Sequence, residues 1–181
     1  MDETQPPTHP LALVTGAAHR LGKAFALCLA RQGYGIVLHY NSSAPKAIAT
    51  ANEIRALGVP VLSVRADLSN ETQVANLFSE IDRFSAARSA SLKVLVNSAA
   101  IMSRGDVRSM SVADFDAVMS VNLRAPFLCA QQAYRRMAPG GLIVNISDVA
   151  AQKTWDAYPI YSVSKAALVS LTRIMARSFA P

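Results

Sequence analysis

Three residues in the last quarter of the chain have the types and spacing of an acid–base site: Asp148, Tyr161 and Lys165. Tyr161 and Lys165 stand four residues apart in segment 160–179, whose apolar spacing predicts a helix. Residues four apart are neighbours on one helix face, so the ammonium of Lys165 can lie beside the phenol of Tyr161. A free tyrosine has a pKa near ~10, and we expect the positive charge to lower the pKa of Tyr161 toward neutrality. The pair is therefore a candidate general acid or base.

Asp148 follows a strand-like run, 142–147, and precedes Tyr161 by thirteen residues. The carboxyl end of a parallel strand is where an α/β protein places its chemistry. A carboxyl group there can bear charge or carry a transferable proton. The same residues also fit a simpler interpretation, in which the tyrosine–lysine pair is solvated on a helix surface and Asp148 only caps a loop. The remaining motifs of the chain favour the catalytic interpretation.

A glycine-containing turn lies between the predicted strand 11–15 and the predicted helix 23–32. Gly16 allows a tight turn, Gly22 permits close helix packing, and the free N–H groups at the helix start can bind an anion. Arg20 stands where the usual dinucleotide-binding pattern has its middle glycine. The turn is a candidate phosphate site, although plain turns also share a two-glycine pattern.

The end of the second predicted strand, 35–40, indicates which dinucleotide would bind. An acidic residue about 20 residues beyond the glycine turn binds the ribose 2′-hydroxyl of NAD. Here Tyr40 is followed by the Asn-Ser-Ser segment 41–43, with no acid. A carboxylate would repel a 2′-phosphate, whereas hydroxyls, an amide and the nearby Arg20 would accept it. The pattern favours NADP, although segment 41–43 can also cap the next helix.

Strand-like and helix-like segments alternate along the rest of the chain, which implies a parallel sheet with helices on both faces. Besides the segments already named, we predict helices at 44–57, 71–84 and 111–137 and strands at 59–65, 92–96 and 140–147. Within helix 111–137, Pro126 has no N–H for the carbonyl of Asn122. We therefore expect a kink there and a free carbonyl that can hold a water.

Composition and charge exclude several classes of protein. The chain has 181 residues, of which 51% are hydrophobic and 17% charged, and this is ordinary for one globular domain. Its net charge of +6 comes from scattered residues with no nucleic-acid-binding motif, and no apolar run is long enough to cross a bilayer. Residues 1–10 are polar and proline-rich, so we expect a flexible tail. Cys28 and Cys129 fall in predicted helices; we expect buried free thiols and a cytoplasmic protein.

Together these motifs resemble those of the short-chain dehydrogenase/reductase family. The match runs from residue 11 to residue 181, with every motif in order. The matching positions are the turn from Thr15-Gly16 to Gly22, Asp67, the Asn97-Ser98-Ala99-Ala100 element, Asn122, Tyr161 and Lys165. The resemblance implies a doubly wound α/β sheet, the Rossmann fold, with strand order 3-2-1-4-5 in a single domain over 11–181. It also implies NADP as cofactor, no metal, and hydride transfer to a small carbonyl or imine.

The resemblance further implies a role for each candidate residue. Tyr161, together with Asp148, would deliver a proton; Lys165 would hold the ribose hydroxyls, and Asn122 would anchor a water. Asp67 would contact adenine, although it can equally begin a turn. The implied cofactor contacts are Thr15, Gly16, His19, Arg20, Leu21, Gly22, His39, Tyr40, Asn41, Ser42, Asp67, Leu68, Asn97, Ser98, Ala99, Tyr161 and Lys165.

Two departures from the general family pattern suggest a subtype. Asp148 stands at the family's catalytic serine, and Arg20 at a glycine; both resemble the pteridine reductases, whereas Met102 replaces their stacking aromatic ring. Family chains continue beyond the place where this chain ends, at Pro181, so we expect a fragment or a natural truncation. Two alternatives stay open: a reductase of an unrelated ketone or aldehyde, and a nucleotide-binding module without turnover. A homo-oligomer is implied in which helices 114–137 and 160–180 pair across an axis.

Overall fold

The computed structural model describes residues 9–153 and 155–180, and its centre is a five-stranded sheet. All four pairings between neighbouring strands are parallel, and the order is β3-β2-β1-β4-β5. The strands are β1 (Leu11–Val14), β2 (Gly35–Tyr40), β3 (Val61–Arg65), β4 (Leu92–Asn97) and β5 (Leu142–Asn145). The predicted parallel sheet and its strand order are confirmed.

Helices connect the strands and cover both faces of the sheet. They are α1 (Arg20–Arg31), α2 (Ala44–Arg55), α3 (Glu71–Ala86), α4 (Val112–Met119), α5 (Ala125–Tyr134) and α6 (Pro159–Ser178). Helix α1 begins three residues before the predicted start. Strand β5 is shorter than predicted at both ends. The sequence pattern therefore predicted the strands and helices, but several of the predicted boundaries differ from those in the structure.

Successive side chains of β1 point to opposite faces of the sheet, and each face has its own hydrophobic core. Leu11 and Leu13 face the side covered by α3 and α5, whereas Ala12 and Val14 face the side covered by α1 and α2. Helix α3 contributes its apolar face to the first core, with Phe78 fully buried. Each fully buried large apolar side chain stabilises the fold by about 1.5–3 kcal/mol. Because both faces are packed, the carboxyl edge of the sheet is held rigidly.

The predicted helix 111–137 is interrupted by a π-helical turn, Ser120–Arg124, between α4 and α5. In this turn the N–H of Ala125 donates to the carbonyl of Ser120, five residues back. Pro126 follows and has no N–H, so the wider turn accommodates the missing helical bond. A π turn therefore stands where a kink was predicted from Pro126. Asn122 lies within it, 1% exposed.

The first described residues are tied to the sheet. The ring of His9 donates from Nδ1 to the carbonyl of Gly33, 2.7 Å away, and the N–H of Gly35 donates to the carbonyl of Pro10. Residues 1–8, which make up most of the predicted flexible tail, lie outside the described residues. None of the described helices has the length and hydropathy of a membrane span.

The two cysteines differ in exposure. Both are free thiols, but Cys28 is exposed on α1 whereas Cys129 is buried in α5. The prediction of a buried thiol is therefore wrong for Cys28, which lies on the outer face of α1 beside the Gln32 side chain. Burial raises the pKa of Cys129 to about 12, so that thiol stays protonated.

Candidate active site

The predicted acid–base residues come together beyond the carboxyl end of β5. The hydroxyl of Tyr161 donates to Oδ2 of Asp148 at 2.9 Å, and Oδ1 of Asp148 accepts from the N–H of Ala150. The ammonium of Lys165 donates to the carbonyl of Ile146 at 2.8 Å and lies 5.7 Å from the centre of the Tyr161 ring. Both α6 residues point inward, with exposures of 6% for Tyr161 and 3% for Lys165. The three groups therefore form one cluster, as their spacing predicted.

The electrostatics of Tyr161 differ from the prediction. Burial, the hydrogen bond to Asp148 and the charge of that carboxylate together raise the pKa of Tyr161 to about 12, with burial the largest cause. The expected lowering by Lys165 is therefore wrong for this arrangement. The reason is geometric: the phenol donates directly to a carboxylate, whereas the ammonium is directed at the Ile146 carbonyl. Tyr161 is thus a protonated phenol at neutral pH, which is the form that donates a proton.

Burial lowers the pKa of Lys165 from its usual value, and the charge of Asp148 opposes that shift. A buried ammonium needs compensating hydrogen bonds and charge. The Ile146 carbonyl and the nearby carboxylate provide them. Lys165 is therefore fixed at the base of the cluster, between β5 and Tyr161.

Asn122 joins three elements through its side-chain amide. Its Oδ1 accepts from the N–H of Ile101 at 2.9 Å, and its Nδ2 donates to the carbonyl of Ile101 and to Oγ of Ser164. Ser164 Oγ in turn donates to the carbonyl of Tyr161 at 2.7 Å. The π turn, the loop after β4 and α6 are thereby held together beside the cluster. The predicted water on the main-chain carbonyl of Asn122 remains a prediction.

Sequence analysis missed Ser164. It is fully buried and lies on the same helix as the catalytic candidates, three residues after Tyr161 and one before Lys165. The sequence could have indicated Ser164, because it stands three residues after Tyr161 and residues three apart on a helix share a face. The role of Ser164 as the link between Asn122 and α6 depends on a long-range contact that spacing cannot show.

The glycine turn requires glycine at two positions. Gly16 has φ +67°, and a Cβ there would lie 2.9 Å from Cα of Ala99. A Cβ on Gly22 would lie 2.3 Å from the carbonyl oxygen of Gly16. Arg20 has φ +54°, so it keeps the left-handed backbone conformation that glycine adopts at low cost. The turn therefore has the close-packed geometry of a phosphate-binding loop even with arginine in place of the middle glycine.

Beside this turn and the acid–base cluster runs a cavity of about 750 Å³. It extends from Arg20 and the 41–43 segment to Asp148, Tyr161 and Lys165. Among the predicted cofactor residues, only Thr15 and Asn97 do not line it. Residues that line it without having been predicted as contacts are Ala18, Ser43, Ala100, Ile101, Met102, Val121, Ile146, Ser147 and Asp148.

Thr15 and Asn97 act from behind the cavity wall. Thr15 Oγ1 accepts from the N–H groups of Ser98 and Ala99, at 3.0 and 3.1 Å. The Asn97 side chain donates to Oδ1 of Asn145, at 2.9 Å, and so bridges β4 and β5. Both side chains are almost fully buried. They shape the wall that the small residues after β4 present to the cavity.

Asp67, which also lines the cavity, begins a turn. Its Oδ1 accepts from the N–H and the hydroxyl of Ser69. The turn interpretation of Asp67 is therefore confirmed, and its predicted adenine contact remains open. Ser43 occupies the N-cap position of α2 without a side-chain cap hydrogen bond, so the hydroxyl is not committed to the helix.

The donor set fits a dinucleotide phosphate. A glycine turn that a Cβ would fill leads into the first turn of α1, where backbone N–H groups lack helical partners. Segment 41–43 has no acidic side chain, and Arg20 lines the same cavity as this segment. In the described part of the chain, no group of His, Cys, Asp and Glu side chains is arranged for a metal ion.

The chain is similar to known proteins in both sequence and structure. The family model for short chain dehydrogenase matches residues 10–181. An NADPH-dependent aldehyde reductase of Arabidopsis thaliana chloroplasts is 35% identical, over 92% of this chain and 65% of the relative. The solved structure of LugOII, a promiscuous reductase that catalyses keto-reduction in lugdunomycin biosynthesis, is 34% identical with a TM-score of 0.91, covering 96% of this chain and 73% of that one.

A further solved structure holds the cofactor that the cavity fits. A Burkholderia cenocepacia short chain dehydrogenase in complex with NADP is 34% identical with a TM-score of 0.86, covering 96% of this chain and 70% of that one. The present chain spans about two thirds of the length of the curated relatives it matches. The fold, the glycine turn, the tyrosine–lysine pair and the family model agree, and the chain belongs to the short-chain dehydrogenase/reductase family.

Proposed function

We propose that this protein uses NADPH to reduce the carbonyl group of a small molecule. The observation that carries the proposal is the Tyr161 hydroxyl at the cavity wall, protonated at neutral pH and hydrogen-bonded to Asp148. A protonated phenol at this position is a donor for the oxygen of a carbonyl under reduction. An NADPH-dependent aldehyde reductase and a reductase that catalyses keto-reduction, both similar to this chain, support the same chemistry.

In this proposal NADPH, when bound, supplies the hydride, and the protein supplies the proton and the geometry. Tyr161 donates its proton to the substrate oxygen. Asp148 accepts the hydrogen bond of the Tyr161 hydroxyl and holds it in place. A proton from water then restores the phenol after the reaction. Lys165 keeps a positive charge near the phenolate that forms, and Asn122 fixes α6 through Ser164. The nicotinamide ribose would lie toward Lys165.

Cofactor selectivity follows from the other end of the cavity. The residues after β2 carry hydroxyl and amide groups and no carboxylate. Arg20 adds a positive charge at the first residue of α1, where it can pair with the 2′-phosphate of NADPH. Asp67 and Leu68 would hold the adenine.

Imine reduction, including that of pterin rings, is the second candidate function. The specific observation is Asp148, a carboxyl group in place of the usual serine, within hydrogen-bond distance of Tyr161. A carboxyl group can protonate a ring nitrogen, which serine does poorly. Met102 lines the cavity where a stacking ring would support a pterin, so we place this candidate second.

Self-association through α4, α5 and α6 is part of the proposal. Phe115, Phe127, Val163 and Ile174 expose much of their apolar surface on these helices. Exposed apolar side chains of this kind are buried when a second copy packs against them. Light scattering should therefore show at least a dimer, and a monomer at micromolar concentration would contradict this part. The cytoplasmic location predicted from the cysteines remains a proposal.

The test of function is a cofactor and substrate screen on purified protein. NADPH and NADH are each offered with aldehydes, ketones and dihydropterins, and oxidation is followed by the loss of NADPH absorbance. We expect NADPH-dependent turnover of at least one carbonyl class. Turnover of pterins alone would favour the second candidate. NADPH binding without oxidation across the whole panel would indicate a nucleotide-binding module and refute the proposed enzyme.

A further inference from the structure

We infer that His39 is a positioning residue that joins the glycine turn to the end of β3 and thereby sets the shape of the cofactor cavity. His39 is the fifth residue of β2 and is 2% exposed. Its ring Nδ1 accepts from the N–H of Gly16 at 3.1 Å. Its ring Nε2 donates to the carbonyl of Ala66 at 2.9 Å. The inference rests on the proposed function, because it concerns the binding of that cofactor.

The two partners fix the tautomer of the ring. A backbone N–H can only donate and a carbonyl can only accept, so Nδ1 must be unprotonated and Nε2 must carry the proton. A doubly protonated ring would direct a second N–H at the N–H of Gly16, and that hydrogen bond would be lost. His39 can hold the turn only as the neutral Nε2–H imidazole.

The surroundings of the ring favour that neutral form. Burial lowers the pKa of His39 to about 4, while the Ala66 carbonyl and the negative charge of Asp67 oppose the shift. Asp67, just after β3, is the charged group whose field acts on the ring; the turn residues 16–18 that pack on its other side carry no titratable side chain. The ring is therefore neutral throughout the physiological pH range.

His39 also holds the glycine turn through its backbone. The N–H of Ala17 donates to the carbonyl of His39 at 2.9 Å, so two successive amides of the turn are bound to this one residue. Thr50 on α2 binds the next residue, with its hydroxyl donating to the carbonyl of Ala18. These bonds direct the first amides of the turn into the protein. The free amides in the first turn of α1 are then the ones presented to an anion.

The ring connects two parts of the cavity that are far apart in sequence. Gly16 begins the phosphate-binding turn, and Ala66 immediately precedes Asp67 and Leu68 at the adenosine end. The imidazole therefore fixes the spacing between these two parts. A residue that only sets the spacing within the cavity does not distinguish NADPH from NADH, which differ in carrying a phosphate or a hydroxyl on the ribose. Loss of the ring should weaken NADPH and NADH binding by the same factor, in contrast to the loss of a cation at the 2′-phosphate.

The test compares two variants of His39 with a matched control. His39→Leu removes both ring hydrogen bonds, whereas His39→Asn places an oxygen where Nδ1 accepts from Gly16. We expect His39→Leu to raise the Kd of both dinucleotides about tenfold, the effect of losing one or two neutral hydrogen bonds, and His39→Asn to restore about half of that change on a logarithmic scale. Ile81→Val, a core change in α3 outside the cavity, should leave both Kd values unchanged.

If the wild type binds NADPH and folded His39→Leu binds it with the same Kd, the role of His39 is overturned but the proposed function is not. Failure of the wild type to bind either dinucleotide would refute the proposed function and this role with it. If His39→Leu does not fold, nitrogen NMR of the wild-type ring decides. The Nε2–H tautomer, neutral at pH 6, supports the inference, and a ring protonated on Nδ1 overturns it.

Discussion

Substitutions of Arg20 can separate the effect of backbone strain from the effect of side-chain charge. It is the first residue of α1, its side chain is exposed on the cavity wall, and its φ is +54°. Among the described residues it takes part in no ion pair. Arg20→Ala and Arg20→Gly both remove the guanidinium. Only glycine adopts the left-handed backbone without a steric penalty, so the two variants differ in strain alone.

The expected magnitudes follow from these two properties. A hydrogen bond to a charged group contributes about 1.5–3 kcal/mol, so either variant should raise the Kd of NADPH by about 10- to 150-fold. NADH has no 2′-phosphate, and its Kd should change by less than about twofold. Relative to Arg20→Ala, Arg20→Gly should be more stable by about 1 kcal/mol, because glycine relieves the left-handed strain.

The dissociation constants of NADPH and NADH, measured by calorimetry for the wild type and both variants, and one urea titration for each variant test this reasoning. The matched control is Arg31→Ala, which removes the same charge from the other end of α1. Its NADPH affinity should stay at the wild-type value. An equal loss of NADPH and NADH affinity in the Arg20 variants would refute the assignment of Arg20 to the 2′-phosphate. Equal stability of Arg20→Ala and Arg20→Gly would contradict the strain argument.

Three further predictions concern Gly22, His39 and Asp148. Gly22→Ala should weaken NADPH binding by more than about tenfold in a fluorescence titration, because its Cβ would lie 2.3 Å from the Gly16 carbonyl oxygen; wild-type affinity would contradict the packing. Above pH 6.5 the neutral His39 ring contributes about 3 kcal/mol to the free energy of unfolding. This contribution should be lost as the pH falls from 6.5 through about 4, because the unfolded chain binds the proton more readily than the folded protein does. Urea unfolding from pH 7 to pH 4 should therefore show a smaller acid loss in His39→Asn than in wild type, and parallel curves would refute it. Asp148→Asn removes the carboxylate that helps to raise the pKa of Tyr161, so the alkaline limb of the pH profile of kcat/KM should move to lower pH, and an unchanged profile would reduce Asp148 to a structural residue.

The sheet and the central cluster were predictable because they depend on local patterns. Buried strands alternate with amphipathic helices, and this alternation alone implies parallel strands with helices on both faces. The four-residue spacing of Tyr161 and Lys165 is a local property of one helix, and the structure places both inward on α6. Gly16 and Gly22 were identified for conformational reasons that the positive φ of Gly16 and the lack of space for a Cβ at both positions support.

The features that sequence analysis missed depend on contacts between distant segments. The pKa of Tyr161 is set by burial and by the carboxylate that its hydroxyl reaches, and spacing alone cannot show where Lys165 directs its ammonium. Ser164 matters because Asn122 arrives from another helix. His39 was predicted as a cofactor contact and it lines the cavity, but the hydrogen bonds of its two ring nitrogens to the protein backbone could not be predicted. Long-range partners of this kind follow from the fold and not from the local pattern.

The central claim is that the hydroxyl of Tyr161 donates the proton in NADPH-dependent carbonyl reduction. Its most direct test is the single-turnover rate of NADPH oxidation in Tyr161→Phe, measured with a carbonyl substrate that the wild type reduces. The account predicts a rate lower by about 10²- to 10⁴-fold, because the phenylalanine ring keeps the packing and loses only the proton donor. The Kd of NADPH should change by less than about threefold. A Tyr161→Phe rate equal to that of the wild type would contradict the account.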